Sequence, residues 1–355
     1  VNEAHAHDCR QRCRERDLYN RVDEQSPGRA QVIGRWLPRV IGALLIASAL
    51  ALALSRAPDR SVQSLVARWA LPPSEFIDLN GQLVHLRDVG PRNDALPLVL
   101  LHGTSASLHT WEGWSAALQT QHRIISFDLP GFGLTGPYSG RYASWTYRGD
   151  DLARFVLELL DHLQVKRFAI GGNSLGGELA WRVASLAPER VQRLVLVDAA
   201  GYELRPESVP IGFRLAALPG VNRLFEWLLP RGVVEASVHN VYGDPSKVSP
   251  QLVDRYFELT LREGNRAALV QRFQAQALDQ RDVAASVARI RSLKLPTLVI
   301  WGARDRLIPP AMAQRFHADI AGSRLALFDA LGHVPQEEDA AATAAALRAF
   351  WSEVR

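Results

Sequence analysis

Ser174, Asp305 and His333 are side chains of the types that cooperate in nucleophilic catalysis, and they are the residues around which this chain reads most clearly. At neutral pH a serine hydroxyl attacks poorly until a base within hydrogen-bond reach takes its proton and a third group orients that base. Ser174 lies in Ile170-Gly171-Gly172-Asn173-Ser174-Leu175-Gly176-Gly177, with small residues on both sides. Phe168-Ala169-Ile170 before it reads as a buried strand, and Glu178 to Leu186 after it as a helix. Strand, tight turn and helix are the parts of a nucleophile elbow, which holds a serine in a strained conformation beside the positive end of a helix. Gly172 and Gly176 occupy the places where a Cβ would collide with the neighbouring strand or helix.

Of the ten histidines, His333 stands in Gly332-His333-Val334-Pro335, just after the last expected strand, where a loop would carry it over the sheet edge. Asp305 follows the apolar run Thr297–Trp301 in the same way. Asp198, at the end of the preceding strand, and Asp329 are rival acids. Taken singly, Asp305 reads as a loop-capping acid and His333 as a surface histidine. Taken together, they follow the serine in the order nucleophile, acid, base at successive strand ends. Attack on a carbonyl places negative charge on its oxygen, which fixed backbone N–H groups hold best. Leu175, after the nucleophile, and Thr104, in His102-Gly103-Thr104, would supply them. His102 reads as a brace for that loop, and Asp128 as a stabiliser of the Asp128–Gly133 loop.

These residues need a sheet to carry them, and the chain alternates accordingly. Phe76–Leu79 and Leu83–Asp88 flank Asn80-Gly81, a hairpin signal. Pro97–His102, Arg123–Asp128, Val191–Val197, Thr297–Trp301 and Arg324–Phe328 read as strands. Helices are expected at Trp111–Gln119, Tyr147–Leu163 (capped by Ser144), Pro310–Ile320 and Ala340–Val354. Unbroken apolar strands alternating with helices imply an α/β fold with a mostly parallel sheet covered on both faces. The core is expected over 74–200 and 292–355. Between them, 201–291 carries scattered prolines and helical pieces without a parallel strand, and reads as a helical cap inserted after the sixth strand. Of the aromatics near the expected mouth, Trp111, Trp145 and Phe213 are the candidate pocket residues.

The N-terminal part differs. Residues 1–35 are arginine-rich and without periodicity, so a disordered basic head is expected. The chain begins with Val1 and its only methionine is Met312, which suggests a true start further in, at Val22 or Val32. Val40–Ser55 is an uncharged run between Arg39 and Arg56, spanning about 24 Å as a helix. Over 36–57 it reads as a signal anchor, with a cleaved signal peptide or a buried soluble helix as alternatives. Arginines cluster before it, which places the body outside the bacterial inner membrane, in the periplasm. Residues 58–73 read as a linker with an amphipathic helix at Ser61–Ala70.

Composition narrows the function classes. In 355 residues, 47% are hydrophobic and 22% charged, as in a folded protein with a sizeable core. The net charge of +4 is spread in short sprinklings beyond the head, which argues against nucleic-acid binding. The only cysteines, Cys9 and Cys13, lie in the head; with His5 and His7 they lack zinc spacing. There is no dinucleotide fingerprint or phosphate loop, so no cofactor and no metal is implied.

From about Ser74 onward the chain resembles the α/β-hydrolase superfamily. The resemblance rests on His102-Gly103, Asp128-Leu129-Pro130-Gly131-Phe132-Gly133, the Gly172–Gly176 elbow, Trp301-Gly302…Asp305 and Gly332-His333. With its apolar N-terminal segment it looks like the membrane-anchored or exported bacterial serine hydrolases of that superfamily. The resemblance implies Ser174 as nucleophile, Asp305 as acid, His333 as base, and Thr104 and Leu175 as oxyanion donors. Members that open epoxides or remove halides carry aspartate where Ser174 stands. The Gly-rich oxyanion loop of many C–C bond hydrolases is replaced by Thr104-Ser105-Ala106-Ser107. The expected activity is hydrolysis of a small-molecule carboxylic ester with an apolar acyl group, through an acyl-enzyme. C–C bond hydrolysis of ring-cleavage products and perhydrolase chemistry on the same triad are the alternatives, and a non-catalytic ligand-binding module is a third.

Overall fold

A computed structural model describes residues 29–203, 205–218, 220, 221, 225 and 227–353, the side chains of 29–35, 51, 52 and 54 excepted. The chain divides into two units, Val1–Leu54 and Ser55–Arg355. In the first, residues 1–28 of the expected head lie outside the described residues. The rest is one helix, α1 (Arg29–Ser55), with Pro38 inside it. Residues 29–35, expected to be unstructured, are therefore helical, because a helix nucleated in an apolar run extends at the gain of one hydrogen bond per residue. Ile41, Leu44, Leu45 and Ile46 of α1 are exposed. Among the described residues, no helix is long and apolar enough to cross a membrane. A span across a membrane, as a signal anchor over 36–57 would make, thus gains no support from the length and hydropathy of this helix.

The second unit begins with α2 (Val62–Trp69), the expected amphipathic helix. It is docked on the body rather than a free linker: Leu65 packs against Leu134 and Leu259, and Trp69 Nε1 donates to Glu258 Oε2 at 2.7 Å. Strands β1 (Glu75–Leu79) and β2 (Gln82–Val89) form the expected hairpin. Asn80 and Gly81 both have positive φ (53° and 86°), the conformation that a two-residue turn matching the strand twist requires.

The remaining strands and helices alternate. They are β3 (Leu98–Leu101), α3 (Glu112–Leu118), β4 (Ile124–Phe127), α4 (Gly149–His162), β5 (Phe168–Asn173), α5 (Leu175–Leu186) and β6 (Val191–Val197). The cap helices follow: α6 (Ile211–Ala217), α7 (Arg231–Val241), α8 (Pro250–Thr260) and α9 (Asn265–Asp279). Then come α10 (Val283–Ser292), β7 (Thr297–Gly302), α11 (Ala311–Asp319), β8 (Arg324–Phe328), α12 (Pro335–Glu338) and α13 (Ala340–Glu353). The eight strands form one sheet in the order β1-β2-β4-β3-β5-β6-β7-β8, parallel from β4 to β8.

Burial on both faces explains the unbroken apolar strands. In β3, Val99 and Leu101 join the core beneath α4 and α5, while Leu98 and Leu100 join a second core with Trp114, Leu347 and Phe350. Two sequence expectations shift. Ser144 does not cap α4; the N-cap is Arg148, and the Gly149 amide donates across to Asp279 Oδ2 at 2.9 Å, an acid brought by the cap. The cap also ends earlier than 291, because α10 belongs to the helical layer of the sheet: Arg289 donates to Ser185 Oγ at 3.1 Å and to Asp150 Oδ1 at 2.8 Å.

Candidate active site

β5 runs on through Gly171 and Gly172 to Asn173, and α5 starts at Leu175, so Ser174 alone makes the turn. Its φ of 56° and ψ of −114° are strained for a residue with a side chain. The strain is held by its surroundings. The Ser174 amide donates to Val197 O at 3.0 Å, and its carbonyl accepts from Glu178 N and Ala200 N. A Cβ on Gly172 would overlap the Gly176 carbonyl, and one on Gly176 would overlap the Leu101 carbonyl. Only glycine lets strand and helix approach closely enough to form this corner.

Asp305, in the turn after β7, and His333, in the loop after β8, meet at the same sheet edge. His333 Nδ1 donates to Asp305 Oδ2 at 2.7 Å, and both side chains are buried. Asp305 Oδ1 accepts from the Leu307 and Ile308 amides at 2.8 and 3.0 Å, which fixes the carboxylate. The His333 backbone is fixed as well: its amide donates to Val241 O at 2.8 Å, and its carbonyl accepts from Asn173 Nδ2 at 2.8 Å. With Nδ1 holding the proton toward Asp305, Nε2 is left as the basic nitrogen. Ser174 and His333 line one cavity, together with Gly103 and Thr104.

Asp198, the rival acid, lies behind this pair and is fully buried, with one oxygen accepting from Gly302 N at 3.1 Å and the other without a partner. Burial pushes its carboxyl well above the usual range, and the neighbouring Asp305 carboxylate pushes the same way. Both effects favour the protonated form of Asp198. One donor atom from each of Asp198, Asp305 and His333 lies within 4.8 Å of the others, the grouping with metal-ligand spacing among the described residues. A carboxyl at Asp198 pushed toward protonation and a His333 Nδ1 already engaged by Asp305 suit proton handling better than a cation.

Residues 97–340 match the family described as alpha/beta hydrolase fold. The chain belongs to the α/β-hydrolase family. Relatives at the family level include an uncharacterized hydrolase of Bacillus subtilis (strain 168), 30% identical over 68% of this chain and 84% of that protein. The 2-hydroxymuconate semialdehyde hydrolase of Pseudomonas sp. (strain CF600) is 31% identical over 77% of this chain and 92% of that protein. Among solved structures, the meta-cleavage product hydrolase from Pseudomonas fluorescens is similar, with a TM-score of 0.66 and 25% identity over 79% of this chain and 98% of that one. The α/β-hydrolase fold expected from the sequence is thus the fold of the family, and the chain is a hydrolase.

In this α/β-hydrolase the supporting polar residues brace loops, as their sequence context suggests. His102 Nδ1 donates to the Gly103 carbonyl at 2.7 Å and its Nε2 accepts from Leu129 N at 2.9 Å. Burial lowers its pKa, which keeps the ring neutral for both bonds. Asp128 accepts from the Leu108 and Leu134 amides and faces His85 Nδ1, all at 2.7 Å. Burial alone would raise its pKa, but the imidazoles around it hold it below the ordinary carboxylate range.

Two cavities meet above Ser174, sharing Thr104, Phe213 and Leu307. The first, about 740 Å³, is apolar, walled by cap residues including Phe225, Leu229, Val238 and Leu269, with His333 on its side. The second, about 910 Å³, runs past Leu175 and takes in Glu178, Arg272 and Gln276. Of the candidate pocket residues, Phe213 lines both. Trp111 does not: its ring is fully buried 5.1 Å from Trp114, in the core on the sheet face. Trp145 is also elsewhere, packed edge-on against Tyr142 at 5.0 Å near the hairpin. Trp111 follows Thr104 closely in sequence, but it closes a 3-10 turn, Leu108–Trp111, that turns its ring into the core; Trp145 lies in a loop before α4. Asn173 was missed although it adjoins Ser174, because its partner, the His333 carbonyl, is 160 residues away.

Proposed function

We propose that the chain hydrolyses carboxylic esters with an apolar acyl group through an acyl-enzyme. Ser174 attacks the carbonyl while His333 Nε2 takes its proton; Asp305 orients the ring and stabilises the imidazolium. The Thr104 and Leu175 amides receive the oxyanion. His333 then returns the proton to the departing alcohol and activates the water that releases the acid. The observation that carries this reading is the apolar cavity into which both Ser174 and the Asp305-bound His333 open.

The test is turnover of p-nitrophenyl esters of graded chain length. Ser174→Ala should abolish it, a loss of about 10⁶-fold in kcat for a nucleophile of this type, and should also abolish labelling by a fluorophosphonate. Undiminished turnover in that variant would overturn the assignment. The names of the ring-cleavage relatives favour a second reading, C–C bond hydrolysis on the same triad. Vinylogous diketones that are turned over faster than every ester in the panel would select it.

For α1 the reading we propose is attachment to a membrane, on the support of its exposed apolar side chains, with the body on the periplasmic side. Release of the full chain from membranes by alkaline carbonate would count against it.

A further inference from the structure

The end of β6 places a second carboxyl against the acid of the site. Asp198 follows Val197 directly, has a φ of 44°, and is fully buried. Its amide donates to Ile300 O at 3.1 Å, which fixes the residue beside β7. Its side chain meets the Asp305 carboxyl within hydrogen-bond range. Two ionised carboxylates in contact inside a protein repel each other, so such a pair retains one proton.

The donors around each group decide where that proton sits. Asp305 is served by the Leu307 and Ile308 amides and by His333 Nδ1, at 2.8, 3.0 and 2.7 Å. Asp198 is served by Gly302 N alone, at 3.1 Å, and its Oδ2 has no partner. Each donor stabilises an ionised carboxylate, so the charge belongs on Asp305 and the proton on Asp198. An ionised Asp198 would leave a buried oxygen unsatisfied, whereas an O–H there has the Asp305 carboxylate as its acceptor. Among the described residues, the titratable groups facing Asp198 are Asp305 after β7, His333 after β8 and Glu338 of α12. The Glu338 charge adds to the pressure toward protonation.

We propose that Asp198 is a positioning residue, which keeps its proton throughout the reaction and donates it in a hydrogen bond to Asp305. This role presupposes Asp305 and His333 as the acid and base of the proposed ester hydrolysis. The added donor holds the Asp305 carboxylate against rotation away from His333. It also disperses part of the carboxylate charge, so that the imidazolium formed during attack still gives up its proton readily.

The experiment compares the full chain with Asp198→Asn and Asp198→Gly. Asparagine imitates a protonated carboxyl, with a donor for Asp305 and an acceptor for Gly302 N. Glycine removes both and suits the φ of 44°. Infrared spectra of the parent at neutral pH should show the carbonyl band of a buried, protonated carboxyl, and Asp198→Asn should lack it. The pH profile of kcat/KM on p-nitrophenyl esters should be the same in Asp198→Asn as in the parent. Asp198→Gly should lose about tenfold in kcat at unchanged KM, the scale of one hydrogen bond to a charged group. Its acid limb should move to higher pH, because Asp305 then holds the imidazolium more strongly; a merely structural role would lower the melting temperature without moving that limb. The proposal is overturned if the parent lacks the band, or if Asp198→Asn moves the acid limb to lower pH, as loss of a negative charge near His333 would. Equal kcat and an unmoved acid limb in Asp198→Gly overturn it too, and if that variant does not fold, the asparagine and infrared arms still decide. Failure of the ester reading looks different: Ser174→Ala would turn over esters like the parent, while the infrared band would still report the proton on Asp198.

Discussion

The floor and the roof of the active site are built on different physical terms. On the floor, Ser174, Asp305 and His333 sit at strand ends and are positioned mostly by backbone groups: the Leu307 and Ile308 amides, the Val197 carbonyl and the close approach at Gly172 and Gly176. In the roof, α7, α8 and α9 are tied down largely by charged side chains. Arg255 pairs with Glu337, Arg272 with Glu178, and Arg148 with Asp279. A reaction centre needs fixed geometry and obtains it from short-range backbone constraints. A cap needs a shaped interior, and gets it from long-range pairs that only the finished fold assembles.

The floor should yield the largest effect. Asp305→Asn keeps the shape of the acid but disturbs the tautomer of His333, and kcat on esters should fall by about 10⁴-fold at nearly unchanged melting temperature. If Asp198 took over as the acid, the single variant would lose less than about tenfold and only the Asp198→Asn, Asp305→Asn double variant would lose the rest.

The roof should respond in stability instead. Glu337 is half-buried, and burial alone would raise its pKa, yet the Arg255 charge holds it below its ordinary value of 4.5. Arg255→Met leaves that carboxylate unpaired and should destabilise the fold by about 3–5 kcal/mol in denaturant titrations at neutral pH. A depressed carboxyl pKa contributes stability above its unfolded value and loses it as pH falls through the folded one. The gap between parent and variant should therefore narrow below about pH 4.5, where Glu337 takes up a proton. A gap that stays constant with pH would mean that the pair does not hold the roof.

The smallest effect sharpens the border between the two. Phe213 lies in the roof and lines both cavities over Ser174. Phe213→Ala should shift the preferred acyl length, changing kcat/KM ratios between long and short esters by about 10- to 200-fold, the range for apolar pocket contacts. Turnover of the shortest ester should stay the same; a uniform loss across all lengths would place Phe213 with the floor.

How legible each part is in the sequence follows from the same contrast. The elbow, the Asn80-Gly81 hairpin and the alternation of strands with helices are local patterns, and each can be read from a few adjacent residues. The cap is recognisable as helical only from scattered prolines and missing strands, and its pairs are not legible at all. Arg255 and Glu337 stand 82 positions apart, Arg272 and Glu178 94 apart. Trp111 and Trp145 mislead for a related reason: where a ring packs is set by partners such as Trp114 and Tyr142 in the finished fold, and the residue type does not encode that. The start of α4 shows the same, since an acid from the cap meets the Gly149 amide where a local serine was expected.

The hydrogen bond from the His333 amide to Val241 O, at the end of α7, ties the two halves together. In the reaction proposed above, the proton acceptor is moored to a wall of the cavity that would take the acyl group. A swing of that helix would pull on the backbone that carries the imidazole, so geometry at the sheet edge and the pose of the cap are not independent of each other.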